Sequence, residues 1–399
     1  MVSTQRNYYD FVKKELNYLR SSNLYRSLNV DDSTEGSARI RHNYQDGILN
    51  FCSNDYLGIS TQNEVVQTTK KSLRQISPCS SRLITGNTAE LERLEGMLAL
   101  HRKTEAALVF PTGYMANLGT ITALGGKNCV IFSDELNHAS IIDGCRLSGA
   151  EVKIFRHNDV HDLEQKIKLV KRTSRKIVIT EGVFSVDGDF ADLKKISEIT
   201  HSYDAMLIVD DAHGDFIFGN LGDRSYSGVP SYFGVNSRVD FHISSLSKAL
   251  GCFGGYVATT NQMRELLINR SRQLIYTSSI PGHLCVSAMS AIGVVKKGYL
   301  QKRLFRNIEF LGGELYKIGL VADRPPTQII PVLIGSEKNA IRFSNLLLKK
   351  GILIQPLRFP TVQKDLSRIR ISLTALHTLP DIRNAAKAIR ATAAKLKLI

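Results

Sequence analysis

The stretch Met206-Leu207-Ile208-Val209-Asp210-Asp211-Ala212-His213 sets four apolar residues directly before two carboxylates. An apolar run this short reads as a strand buried on both faces. A carboxylate closing such a strand is costly to bury unless it faces a cation. The alternative is an aspartate that caps a helix. Outward from this point the same kind of run recurs: Ala106 to Phe110, Cys129 to Phe132, Val152 to Phe155, Lys176 to Thr180, Val239 to Ser244 and Gly255 to Thr259. Helical stretches separate them, and the alternation predicts an α/β domain with a mostly parallel sheet. Ligands of such sheets sit beyond the carboxyl ends of the strands. The polar residues that could carry chemistry cluster there. His138 follows the Cys129 run, Ser185 the Lys176 run, Asp210 and His213 the Met206 run, and Lys248 the Val239 run.

On the N-terminal side, Tyr9, Val12, Leu16 and Leu19 fall at helical spacing and precede an extended segment. On the C-terminal side, a helix is expected over Pro281 to Leu300, leading to strands at Ile329 to Ile334 and Ile369 to Leu373 around a helix at Glu337 to Lys350. The expected division is an N-terminal helix and arm over 1–50, a large α/β domain over 51–290 and a small C-terminal α/β domain over 291–399. Neither an internal repeat nor a low-complexity segment stands out.

With 399 residues, 43% of them hydrophobic, the chain can bury a large core and a smaller one. Lys and Arg exceed Asp and Glu by 15, yet the basic residues are dispersed in pairs such as Lys70-Lys71 and Lys296-Lys297. That dispersal argues against nucleic-acid binding, whereas a phosphate-rich small substrate such as an acyl-CoA suits the field equally well. The polar start lacks the apolar core of a signal peptide, and no apolar run approaches the roughly 20 residues of a membrane span. A cytoplasmic protein without membrane contact is expected. The six cysteines are scattered without a CxxC pair, so neither a metal site nor a disulfide framework is expected, and they read as reduced, buried, small apolar residues.

Lys248 lies in Ser244-Ser245-Leu246-Ser247-Lys248-Ala249-Leu250-Gly251, leading into Gly251-Cys252-Phe253-Gly254-Gly255. A lysine that holds a planar cofactor covalently needs a turn with little bulk around it; a surface lysine after a strand is the other reading. His138 in Asn137-His138-Ala139-Ser140 could stack on an aromatic cofactor, or cap a helix, or sit in the core. Pro111-Thr112-Gly113-Tyr114 ends a strand and opens a helix, where backbone N–H groups suit a phosphate.

Together these segments resemble the α-oxoamine synthase family of fold-type I pyridoxal-phosphate enzymes. The resemblance runs from about Asn50 to His377 and includes Asn50-Phe51-Cys52-Ser53-Asn54-Asp55-Tyr56-Leu57-Gly58, Thr180-Glu181-Gly182-Val183-Phe184-Ser185, Tyr276-Thr277-Ser278-Ser279-Ile280-Pro281 and Arg368-Ile369-Arg370-Ile371-Ser372. It implies a large domain with a mostly parallel sheet plus a smaller C-terminal α/β domain, and a homodimer with shared active sites. It makes Lys248 the lysine that holds pyridoxal 5'-phosphate, Asp210 the partner of the ring nitrogen and His138 the ring-stacking residue. His213 and Ser185 are then expected at the ring hydroxyl, and Gly113, Tyr114, Ser245 and Thr277 at the phosphate, Thr277 from the neighbouring subunit. Arg370 with Asn54 is expected to clamp an amino-acid carboxylate, a task suited to a bidentate guanidinium.

The implied activity is decarboxylative condensation of an amino acid with an acyl thioester. Leu357-Arg358-Phe359-Pro360-Thr361-Val362 resembles members that join L-alanine to a pimeloyl thioester, with Arg358 and Thr361 as substrate residues. Glycine with acetyl-CoA or succinyl-CoA, and serine with palmitoyl-CoA, are the alternatives inside the family. A non-catalytic basic binding protein on the same fold is the alternative outside it. Three places depart from the pattern: Leu91 where many members have histidine, Pro78-Cys79-Ser80 in a usually Gly-rich stretch, and Asp215-Phe216 where a small residue and glycine are usual.

Overall fold

A computed structural model describes residues 8–33, 36–171, 173–220 and 225–399. In chain order its strands are β1 Asp31–Ser33, β2 Arg39–His42, β3 Gln45–Asn50, β4 Ala106–Phe110, β5 Cys129–Asp134, β6 Glu151–Phe155, β7 Arg175–Glu181, β8 Met206–Asp210, β9 Phe241–Ser245, β10 Gly255–Thr259, β11 Ile329–Gly335, β12 Ile352–Leu353, β13 Gln355–Leu357 and β14 Ser367–Ser372. Seven of them form the central sheet in the order β4-β10-β9-β8-β7-β5-β6. All its pairings are parallel except those of β10, which runs antiparallel to β4 and β9.

The near-continuous apolar runs follow from helices covering both faces of this sheet. Successive residues feed opposite cores. Ile131, Ile179, Ile208 and Ile243 pack on the side of the helix Gly113–Leu124, while Phe132, Val178, Leu207 and Val209 join the larger core. Farther along the chain, β11, β14 and β13 form a three-stranded antiparallel sheet backed by the helix Glu337–Leu348. The N-terminal arm is tied into this region, because β3 pairs in parallel with β12.

Several local features differ from what the sequence suggests. The helix expected over 281–300 is two helices, Gly282–Val295 and Tyr299–Lys317, broken at Gly298, whose φ of 76° lies in the left-handed region that favours glycine. The first helix, Tyr8–Ser21, is amphipathic but buries none of its residues. All six cysteines are free, but only Cys129, Cys145 and Cys285 are buried; Cys79 is exposed. It stands outside any helix or strand, at a left-handed φ of 52°. No helix among the described residues is long and apolar enough to cross a membrane.

One buried ionic cluster holds the turn after β8. Arg102 has no exposed surface, and its guanidinium reaches Asp211 at 2.7 Å, Asp215 at 3.0 Å and the Ser227 carbonyl at 2.7 Å. Tyr256 donates to Asp215 at 2.5 Å, and His101 Nε2 lies 2.8 Å from the same carboxylate. Burial works against Asp215, but Arg102 and His101 hold it down to about 2; Asp211, with fewer donors, is pushed up to about 7 by burial. Phe216 adopts a left-handed φ of 63°, which costs an L-residue on the order of 1 kcal/mol. Its ring stacks on His101 at 4.1 Å and 9°, and this contact offsets that strain. Asp215 and Phe216, one of the three departures noted in the sequence, are thus both part of the cluster.

Replacing Arg102 by Ala strands two buried carboxyls, and the expected loss is about 3–5 kcal/mol of stability, read by urea denaturation. A loss below about 1 kcal/mol would show that the cluster is not held by its cation.

Candidate active site

The carboxyl ends of β5, β7, β8 and β9 converge on one cleft, and each supplies a side chain. Lys248 stands on the turn between β9 and β10. That turn is closed by Leu246 N–H donating to the Gly254 carbonyl and Cys252 N–H to that of Leu246, both at 2.9 Å. Lys248 Nζ lies 2.8 Å from His213 Nε2, and His213 Nδ1 lies 2.7 Å from the Tyr56 hydroxyl. Tyr56 donates to Asn54 Oδ1 at 3.0 Å and accepts from Arg370 at 3.1 Å. Arg370 also donates to Asn54 Oδ1 at 3.2 Å and to the Ser185 carbonyl at 2.7 Å. Since Tyr56 donates to Asn54, it can only accept from His213, which assigns the ring proton to Nδ1 and leaves Nε2 to accept from the lysine. Burial, then the charges of Lys248 and Arg370, hold His213 well below its usual value, so its ring is neutral. Burial likewise lowers the Lys248 amine to about 8, against the pull of Asp210.

Asp210 is buried at the end of β8. Asn117 Nδ2 donates to it at 2.6 Å and the Ala212 N–H at 3.0 Å, so it turns back on its own loop rather than capping a helix. His138 does cap the helix Ala139–Leu147: its Nδ1 accepts from the Ser140 N–H, while its ring stays exposed to the cleft. Capping and stacking are compatible, because the first uses the ring edge and the second its face.

The helix Gly113–Leu124 opens at the same end, with the Thr112 hydroxyl accepting from the Met115 N–H at 3.1 Å. That leaves the Gly113 and Tyr114 N–H groups of the first turn to face an anion. Ser245 packs against this turn: a Cβ on Gly113 would meet that of Ser245 at 3.1 Å. At Gly255, a Cβ would lie 2.4 Å from the Gly113 nitrogen, so glycine is required for this close approach. Thr277 lines a small cavity behind Pro111 in its own chain. Arg358 and Thr361 lie in a separate groove of about 650 Å³ between the arm and β13, together with Arg26. Arg26 reaches the Thr361 hydroxyl at 3.4 Å, and Arg358 bonds the Asn23 carbonyl. The groove runs past Gln355, which pairs with Arg370.

Pyridoxal phosphate fits these residues. A helix start with free N–H groups and a serine hydroxyl suits its phosphate, a buried carboxylate its protonated ring nitrogen, and an amine poised near 8 its aldehyde. The described residues hold no cluster of three or more metal-ligating side chains.

The fold and this cleft define an α/β enzyme built around a lysine-held cofactor, and the chain belongs to the aminotransferase class I and II family, whose model matches residues 46–389. It is a pyridoxal-phosphate enzyme. It is similar to the 8-amino-7-oxononanoate synthase of Thermoanaerobacter pseudethanolicus, 37% identical over 98% of each chain. Among solved structures it is similar to a serine palmitoyltransferase variant from S. paucimobilis with bound PLP and myriocin (27% identity, 98% of this chain and 99% of that one, TM-score 0.91). A third likeness is to the 8-amino-7-oxononanoate synthase of Francisella tularensis (28% identity, 88% and 99%, TM-score 0.72).

Four residues of the cleft and groove were not singled out from sequence: Tyr56, Asn117, Glu181 and Arg26. Tyr56 and Glu181 stand inside recognised segments, but their partners lie far along the chain. Arg26 is in no motif, and its partner Thr361 is 335 positions away.

Since the neutral amine is the nucleophile, capture of pyridoxal phosphate by cofactor-free protein should quicken as pH rises, half-maximally near pH 8. Borohydride fixation and mass spectrometry should place the label on Lys248 and find none in a folded Lys248→Ala variant. Labelling of that variant at another lysine would overturn the assignment.

Proposed function

We propose that this protein catalyses the pyridoxal-phosphate-dependent, decarboxylative condensation of L-alanine with a pimeloyl thioester to 8-amino-7-oxononanoate, a step of biotin biosynthesis. The observation that carries the choice of substrate is the pair of guanidiniums, Arg26 and Arg358, beside Thr361 in the groove that leads past Gln355 towards Arg370. A pimeloyl chain ends in a carboxylate, which such a pair can hold by charge-assisted hydrogen bonds. Burial, and then the charge of Arg26, lower the Arg358 guanidinium, a cost that an anion between the two would relieve.

In this reading Lys248 would hold the cofactor and is the base placed to take the amino acid's α-proton; His213 fixes its amine in reach. Arg370 and Asn54 clamp the amino-acid carboxylate, and Tyr56 keeps both in register with His213. Asp210, oriented by Asn117, keeps the proton on the ring nitrogen. The cofactor, when bound, supplies the electron sink for the α-carbon. His138 offers its ring face, Ser185 and His213 stand towards the ring hydroxyl, and Gly113, Tyr114 and Ser245 hold the phosphate. Thr277, set behind Pro111 in its own chain, serves the site of a second copy, so the working unit is a homodimer. It works in the cytoplasm as a three-part chain of arm (1–50), large domain (51–290) and small domain (291–399).

A second reading, serine with palmitoyl-CoA, is favoured by the higher TM-score of the serine palmitoyltransferase. Two cations in the donor groove weigh against it, since an alkyl terminus offers them no anion.

A donor panel read by product mass spectrometry decides: L-alanine with pimeloyl-CoA is expected to outperform glycine or serine with acetyl-, succinyl- or palmitoyl-CoA. Arg358→Ala should lower kcat/KM for pimeloyl-CoA about ten- to a hundredfold, the worth of a hydrogen bond to a charged group. A variant that turns over the pimeloyl donor as well as the parent would refute the groove. Asp210→Asn should slow α-proton removal on the order of 10²-fold, measured by solvent exchange of the amino acid's α-hydrogen.

A further inference from the structure

The register of the central sheet sets Glu181 beside Asp210 at the ends of β7 and β8. Neighbouring parallel strands lie about 5 Å apart, and paired residues point to the same face. Two carboxyls therefore enter the cleft side by side, and both are buried, Glu181 to 2% exposure and Asp210 to 7%. Their surroundings differ. Asp210 accepts from Asn117 and from the Ala212 N–H. Glu181 Oε1 has no hydrogen-bond partner among the described residues.

Two buried carboxylates at this spacing cannot both ionise without a large repulsion, and the one whose two oxygens are both bonded keeps the charge. We propose that Glu181 and Asp210 share one proton, that Glu181 carries it, and that Glu181 acts in this site as a neutral hydrogen-bond donor rather than a second anion. The acceptor it would meet is an anionic oxygen of the bound cofactor or amino acid, in the space shared with His138 and Ser185. This deepens the functional reading above by adding a donor to the cofactor side of the cleft, and its test needs no acyl substrate.

The charges facing Glu181 support the assignment. Burial and then Asp210 push its carboxyl well above the usual carboxylate range, while Lys248 and the backbone N–H groups of His138 and Ser185 pull the other way. His213, behind Lys248, is neutral, and Arg370 is occupied by Asn54, Tyr56 and Ser185. Glu95, also buried, is by contrast ion-paired with Arg82 at 2.5 Å and Arg264 at 3.0 Å.

Infrared spectra of holoenzyme labelled with ¹³C in the glutamate carboxyls should show one protonated glutamate at pH 7, and Glu181→Gln should abolish that band. The pH midpoint of the bound cofactor's visible absorbance should be unmoved by Glu181→Gln, which replaces one neutral donor by another. A downward shift of that midpoint in Glu181→Gln, as loss of an anion near the lysine nitrogen gives, would show that Glu181 is an anion and overturn the proposal. If the glutamine variant does not fold, the labelled parent still decides: absence of a protonated glutamate carboxyl at pH 7 overturns it. Neither outcome depends on which acyl donor the enzyme takes.

Discussion

Arg102 is the buried cation on which the cleft depends. Its partners Asp211 and Asp215 bracket His213, and Asp211 follows directly on Asp210, so the guanidinium anchors the turn beside both. The turn is packed too tightly for alternatives: a Cβ on Gly214 would lie 2.3 Å from Asp211 Oδ1, and one on Gly182 2.4 Å from it. Buried ion pairs seldom add net stability, but they can specify one arrangement of the groups around them. Here the arrangement specified is the turn that carries His213 and follows Asp210, and Tyr256 and His101 extend it to the adjoining strand and helix.

From that turn a second chain of polar contacts crosses the molecule. Lys248, His213, Tyr56, Asn54 and Arg370 come from four distant parts of the sequence and form one continuous hydrogen-bonded path. Gln328 closes it from behind by donating to the His213 carbonyl at 2.7 Å. The path joins the group that would bind a substrate carboxylate to the amine that would take its α-proton. The histidine in the middle of the path is neutral, so it links the two ends by hydrogen bonds without adding a charge of its own. A buried imidazole held well below its usual value suits this, since it relays position without adding a cation beside the lysine.

The groove of Arg26 and Arg358 lies apart from this path. Arg370 faces Gln355 across β14 and β13, whereas Arg358 stands three residues farther on and reaches the arm instead. The two guanidiniums thus lie in two regions, and the N-terminal arm lines the groove of Arg358 through Tyr25, Arg26 and Asn29. Its attachment through β3 and β12 is what brings Arg26 there.

The sequence by itself determined the layers and the edge at which chemistry gathers. Short apolar runs that end in Asp210 or lead into Ser185 and Lys248 can be satisfied only by a sheet covered on both faces, with its polar residues at the strand ends. It also marked Lys248, Asp210, His138 and Arg370, because each sits in a locally distinctive segment. Other features had no local signature. The break at Gly298, the return of the arm onto β12, the pairing of Arg26 with Thr361 and the hydrogen bond from Tyr56 to His213 each join residues that sequence distance conceals. Whether Glu181 or Asp210 bears the charge was likewise undecidable from spacing. Periodicity reports which face a residue occupies, but a carboxyl's ionisation depends on the dipoles and charges that folding brings within a few ångströms, and only the tertiary structure supplies those.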